Sequence, residues 1–131
     1  MVYEYSQRTE KGGIYDITKW VKDAVERSEV FEGICVVFTP HCTTGICVTQ
    51  KVDTLVAEDV MDAMERQYPE AAEYKHTAGN GAAHLKGVAL GASVTLIVRE
   101  GRPLLGPWQG VFFADFDGPR DRHFCVKVVE C

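Results

Sequence analysis

Three strand-like segments at residues 92–99, 110–116 and 123–130 follow one another with turn-like residues between them, among them Gly101-Arg102-Pro103. Their β-branched and aromatic content predicts strands, and their succession without a helix reads as a β-meander. A chain that ends this way does not build a doubly wound parallel sheet, which needs strands and helices in alternation. Upstream, residues 2–8 alternate apolar and polar side chains up to a turn at Gly12-Gly13. Residues 34–38 form a short apolar run ended by Pro40, and residues 44–50 add a further strand pattern. Two amphipathic helical patterns interrupt the strands. Over 16–28, Ile17, Trp20, Val21, Ala24 and Val25 recur at three and four, with Asp16 or Thr18 as the cap. From Asp53 to Pro69 the same spacing links Leu55, Val56, Val60, Met61 and Met64, and the acids Glu58, Asp59, Asp62 and Glu65 read as a mostly solvated face. The prediction is one α+β domain over 1–131, with a largely antiparallel, β-sandwich-like core and two main helices, and with an irregular stretch over 69–83.

A chain of 131 residues holds a core without disulfides or metal, yet is too short to wall a large cleft by itself, so a deep site calls for a second subunit. Fourteen Lys and Arg against nineteen Asp and Glu give a formal charge of −5, which disfavours duplex nucleic acid as a partner. No apolar run approaches the roughly 20 residues of a membrane span, and Met1-Val2-Tyr3-Glu4-Tyr5 lacks the basic start and apolar block of a signal peptide. A cytoplasmic location with no membrane contact is expected. The five cysteines are odd in number and form no C-x-x-C pair, so Cys35, Cys47 and Cys125 read as small core residues, whereas Cys42 beside His41 is less constrained.

Neither G-x-G-x-x-G nor G-x-x-x-x-G-K-[ST] is present, which removes the two commonest nucleotide-phosphate loops. What remains is a set of histidines in polar or Gly-flanked settings: His41 before Cys42-Thr43-Thr44-Gly45, His76 before Thr77-Ala78-Gly79-Asn80, and His84 before Leu85-Lys86. Gly79 and Gly81 argue against a helix running from His76 to His84, so a loop folding back would have to bring their imidazoles together. Converging neutral imidazoles suit Zn²⁺, whereas Mg²⁺ wants mainly oxygen ligands. His123 reads as a surface or edge residue. Lys86, Arg120 and Arg122, with the hydroxyls of Thr43 and Thr44, form a second, anion-like set, since Arg offers a phosphate two parallel bonds and Lys a point charge. Trp108 reads equally as a wall for a flat ligand or as packing, and Gln109 beside it is a single amide. Asp115, an acid between aromatics on a strand, has to be exposed, paired or functional.

Taken in order, these motifs resemble a known family. The succession His41-x-Thr43-Thr44-Gly45, Asp53-x-x-Val56-x-x-Asp59, Tyr74-x-His76, Gly79-Asn80-x-x-x-His84-Leu85-Lys86, Leu90-Gly91-x-Ser93, Gly101-Arg102-x-Leu104-x-Gly106-x-Trp108-Gln109 and Asp117-Gly118-x-Arg120-x-Arg122 is similar to the YjbQ-like family, also called secondary thiamine-phosphate synthase. The resemblance implies an α+β, β-sandwich-like fold, a homotrimer, and a polar histidine site able to hold a divalent ion, Zn²⁺ or Mg²⁺. It also implies a transferase that joins hydroxymethylpyrimidine diphosphate to thiazole phosphate and releases diphosphate, an activity that looks weak in the family.

Carried over by position, His41, His76 and His84 match the family's histidines, as metal ligands or partners of a substrate phosphate. His41, His84 and Asp115 are the catalytic candidates. Thr43, Thr44, Asn80, Lys86, Trp108, Gln109, Arg120 and Arg122 are the candidates for holding a small phosphorylated metabolite. The chain departs from the family pattern at Gln50, where a carboxylate is common, at the shortened loop around Asn80, and at Asp115, where many members have Glu. These departures argue for a histidine-dominated ion or none. The rival readings are a metal-assisted hydrolase of a small phosphate compound and a non-enzymatic phosphometabolite-binding protein.

Overall fold

The computed structural model describes residues 1–131. Eight strands and three helices follow in the order β1 (Val2–Arg8), β2 (Gly13–Asp16), α1 (Thr18–Ser28), β3 (Gly33–Phe38), β4 (Thr44–Gln50), α2 (Thr54–Gln67), α3 (Gly81–Leu90), β5 (Ser93–Arg99), β6 (Arg102–Pro103), β7 (Gln109–Asp115) and β8 (Asp121–Glu130). One sheet has the order β1-β8-β3-β5-β6 and the other β2-β7-β4, with every pairing antiparallel. The fold is α+β with a sheet-dominated core.

Alternation in the strands decides which side chains meet between the sheets. Cys35 and Val37 of β3, Leu96 and Val98 of β5, and Phe124 and Val126 of β8 face Ile46 of β4 and Val111 and Phe113 of β7, with Val21, Ala24 and Val25 of α1 in the same cluster. From Gly110 onward β7 is buried throughout, because its other face, Phe112 and Ala114, lies under the α2 and α3 side of the small sheet. Ala83 of α3 and Met61 and Met64 of α2 close that second, smaller core. A strand covered on both faces reads as a continuous apolar run, and so Asp115 at its end is conspicuous.

Two expectations need correction. Residues 92–130 do not form a meander: β7 belongs to the other sheet, and β3 lies between β5 and β8. Local pattern identifies strands, but strand order is decided by which faces pack. The chain also has a third helix, α3, starting inside the stretch expected to be irregular. Its glycines serve contact rather than breaking the helix. A Cβ on Gly87 would lie 2.7 Å from the Cys42 carbonyl oxygen and 3.0 Å from that of Thr44, and one on Gly81 would meet the Tyr74 side chain at 2.8 Å. No helix is long and apolar enough to cross a membrane.

The ends of the helices are set by side chains of the expected kinds. At α1 the capping position itself is Ile17, without a side-chain bond, and Asp16 instead accepts from both the Thr18 N–H and its hydroxyl. Asp53 caps α2 by accepting from the Leu55 N–H at 3.0 Å. Helix α1 ends on Glu29 in the left-handed region, φ 60° and ψ 15°, a conformation costly for a residue with a Cβ and ordinary for glycine. Glu29→Gly is therefore expected to stabilise the fold by about 1 kcal/mol, read as a thermal midpoint a few degrees higher; an unchanged or lower midpoint would show that the turn carries no strain.

Candidate functional site

A polar cluster lies where three loops meet: the β3–β4 loop, the β7–β8 loop and the approach to α3. Its centre is the ion pair between Asp115, the last residue of β7, and Arg122 on the inward face of β8, both buried. Arg122 donates from Nε to Asp115 Oδ2 at 2.7 Å and from a terminal nitrogen to Oδ1 at 3.0 Å, and the same nitrogen reaches Thr43 Oγ1 at 2.9 Å. Asp115 also accepts from the Thr9 hydroxyl at 2.6 Å and from the N–H groups of Asp117 and Gly118. Burial alone would raise the Asp115 pKa, but the guanidinium, the Thr9 hydroxyl and the two N–H groups outweigh it and hold the carboxyl at about 2. The pair fastens the two sheets to each other and fixes the 115–122 loop.

The histidines form two pairs. His76 and His84 have ring centroids 5.0 Å apart at an interplanar angle of 68°, and Asn80 holds both. Asp117 only accepts, so the Asn80 amide donates to it at 3.1 Å and turns its oxygen toward His76 Nε2 at 2.8 Å. His76 Nε2 therefore carries the proton and Nδ1 is the free lone pair. His84 Nδ1 lies 2.9 Å from the Asn80 carbonyl oxygen, so it donates and leaves Nε2 free. His41 pairs with His123 instead, centroids 6.4 Å apart, and its Nε2 accepts from the His123 N–H at 3.1 Å. Burial lowers the His41 pKa from its ordinary value, and the charges of Arg122 and His123 push the same way, so the ring is neutral at pH 7.

The three-histidine set expected to bind a metal is thus divided within one chain. No group of three or more His, Cys, Asp or Glu side chains is arranged to hold an ion. His76 and His84 present two imidazole lone pairs, fewer than the three protein ligands usual for a catalytic zinc site, and imidazoles do not suit Mg²⁺. The residues of one chain do not fit a complete metal centre.

The other candidates distribute as follows. Arg120 reaches Asp117 at 3.5 Å and remains largely exposed, placing it beside Asn80. Thr44 turns inward to a hydroxyl bond with Thr39 at 2.7 Å. Lys86 is buried and ion-paired with Glu65 of α2, so Glu65 is not merely part of a solvated face. Two residues along a helix from His84, Lys86 points away from it. Trp108 lies in the turn just before β7 and Gln109 begins the strand, whose register sets Gln50 opposite Gln109 at one end and Thr44 opposite Asp115 at the other, about 20 Å away at the usual strand rise. In one chain they do not join the histidines. Thr9 and Asp117, which bind Asp115, Asn80 and Arg120, are not among the site candidates; Asp117 stands in one of the motifs that resemble the family but reads there as turn chemistry, and Thr9, just past a strand, carries no signal of its own.

Similarity to known proteins covers both sequence and shape. A UPF0047 protein of Methanocaldococcus jannaschii is 40% identical over 130 residues, spanning 98% of this chain and 94% of that one. YugU of Bacillus subtilis is 36% identical over 122 residues, 92% of each. A crystal structure from Clostridium acetobutylicum, described as an uncharacterised conserved protein of the YjbQ/UPF0047 family, superposes with a TM-score of 0.94 at 41% identity, covering 97% of this chain and 99% of that one. A YbjQ-like protein of unknown function from Sulfolobus solfataricus gives 0.95 at 30% identity, with 100% and 97% covered. With the profile of the UPF0047 protein YjbQ-like family matching residues 3–131, this chain belongs to that family.

Proposed function

We propose that the chain is a transferase of the secondary thiamine-phosphate synthase kind, joining hydroxymethylpyrimidine diphosphate to thiazole phosphate. In that reaction the bond from the pyrimidine methylene carbon to the diphosphate oxygen breaks, with the electron pair leaving on diphosphate. The thiazole nitrogen lone pair forms the new C–N bond. The demand on the protein is to orient two phosphorylated substrates and offset charge on the leaving group. The observation that supports this reading most is the fixing of two imidazoles by one residue, Asn80: each ring offers a single defined nitrogen, beside the exposed guanidinium of Arg120. Arg120 meets the diphosphate directly, the lone pairs of His76 and His84 accept from N–H or O–H groups of the bound substrates, His41 stands on the other side of the cluster with His123, and Asp115, Arg122 and Thr43 keep the loops in place. No step is assigned to a metal; an ion held by His76 and His84 would need its remaining ligands from outside the chain.

The site is open in one chain, and the homotrimer belongs to the same proposal. Its support is an apolar row across the outer face of the five-stranded sheet, where Ile34 pairs directly with both Ile97 and Val129 and all three are exposed. Sedimentation of the purified protein as a single trimeric species is the expected result.

Incubation with both substrates is expected to yield thiamine phosphate and diphosphate in equal amounts, and His84→Ala to reduce the rate on the order of 10²-fold with an unchanged thermal midpoint. Diphosphate release without the thiazole substrate would replace the proposal with hydrolysis. Binding of either substrate with no turnover would replace it with a binding protein.

A further inference from the structure

We infer that the end of the small sheet opposite the histidines carries a second anion site, which takes a phosphorylated small molecule in the groove between Lys22, Lys51 and Arg102. Two of the three cations at the histidine end are buried in ion pairs, Lys86 with Glu65 and Arg122 with Asp115, which leaves the exposed Arg120 beside Asp117 as the one that can reach a ligand there. At the other end the situation is reversed. A cavity of about 620 Å³ is lined by Lys22, Lys51 and Arg102, and one of about 430 Å³, sharing Lys22 and Lys51 with it, adds Lys19. None of these four cations takes part in an ion pair of the chain. Two carboxylates, Glu26 and Asp16, line the same space, and an oxygen of Asp16 is already occupied by Thr18. Cations therefore outnumber carboxylates in the groove, in a chain whose formal charge is −5.

Three separate elements hold these groups. Lys22 is on α1 and Arg102 on β6, while Lys51 follows β4 and is fixed by its N–H, which donates to the Trp108 carbonyl at 2.8 Å. A lysine point charge on each side of an arginine fork suits the oxygens of a phosphate or diphosphate. The walls between them are Pro103, Leu105 and Pro107, which exclude water from one side and strengthen the attraction. The groove is neither part of the histidine cluster nor required by the proposed transfer reaction.

Titration calorimetry of the full chain with inorganic diphosphate tests this. The expected isotherm contains a binding event that the Lys22→Ala/Lys51→Ala double variant weakens at least tenfold, that Arg102→Ala weakens severalfold, and that His84→Ala leaves within twofold. Affinity in that event falls as salt is raised. Thermal midpoints of the lysine and arginine variants are expected to match the parent, since these side chains have no partners to lose. An isotherm in which no event depends on Lys22, Lys51 or Arg102 would overturn the inference, as would binding abolished by His84→Ala alone. Loss of transfer activity in His84→Ala with the groove event intact would separate the two sites.

Discussion

Asp115→Ala is expected to cost about 3–5 kcal/mol of stability, the usual penalty for removing one member of a buried ion pair. The reason lies in what stays behind. The Arg122 guanidinium is buried and cannot lose its charge, and the Thr9 hydroxyl and the N–H groups of Asp117 and Gly118 would all aim at a void. Removing the cation as well, in Asp115→Ala/Arg122→Met, is expected to recover part of that loss, so that the double variant is more stable than the sum of the single effects allows. Chemical denaturation of the four proteins gives the comparison; additive losses would mean that the pair is not coupled.

The same carboxylate sets an acid limit. Its folded pKa of about 2 lies below the unfolded value near 3.8, so its contribution to stability is fully present above about pH 4. It is lost as pH falls through the folded pKa, because below it the proton binds both states equally. The size is about 2 kcal/mol. Asp115→Asn starts lower and lacks that part of the acid slope, which a series of denaturation curves between pH 5 and pH 2 resolves. A slope unchanged by the substitution would place the acid sensitivity elsewhere.

How much of this could be read from the chain differs by residue. Strands β1, β4, β5 and β8 and helices α1 and α2 announce themselves by pattern, because each packs one repeating face, while β3 and β7 stand out as short apolar runs, β7 being covered on both faces. Helix α3 does not. Apart from Lys86, whose ammonium is paired with Glu65, its buried residues, Gly81, Ala82, Ala83 and Gly87, are small, and its seating depends on side chains that are absent rather than on a stripe of large apolar ones. The Asp115–Arg122 pair was equally hidden: the residues were visible as an acid among aromatics and a base after a turn, but only the face-to-face stacking of β7 and β8 makes them one unit. Cations at 86 and 122 read as anion ligands until their buried carboxylate partners, Glu65 and Asp115, are seen, since pairing across elements leaves no local pattern. Polar, Gly-flanked settings located the histidines and the resemblance gave them roles, whereas the division into 41 with 123 and 76 with 84 follows from where the loops end.

Gly87→Val is expected to cost about 3 kcal/mol, the upper end of the overpacking range, and to alter the histidine site without touching it. In an exposed helix the change from glycine to a residue with a Cβ is stabilising, by up to about 1 kcal/mol for alanine. Here that gain is outweighed because a Cβ already meets two backbone carbonyls, at 2.7 Å from Cys42 and 3.0 Å from Thr44. Backbone oxygens of the β3–β4 turn and of the first residue of β4 cannot rotate away as a side chain would, so α3 has to lift from the small sheet. His84 moves with the helix, and the Asn80 carbonyl that fixes its tautomer is at the helix start. Gly87→Ala is expected to show the same effects at about half the size, and Val88→Ala, at a position 81% exposed, to stay within about 0.5 kcal/mol. Denaturant midpoints report the stability, and the ring nitrogen shifts of His84 in an NMR spectrum report the tautomer. A Gly87→Ala protein as stable as the parent, with unchanged His84 nitrogen shifts, would show that α3 is not seated by this contact and that the site does not depend on how closely helix and strand approach.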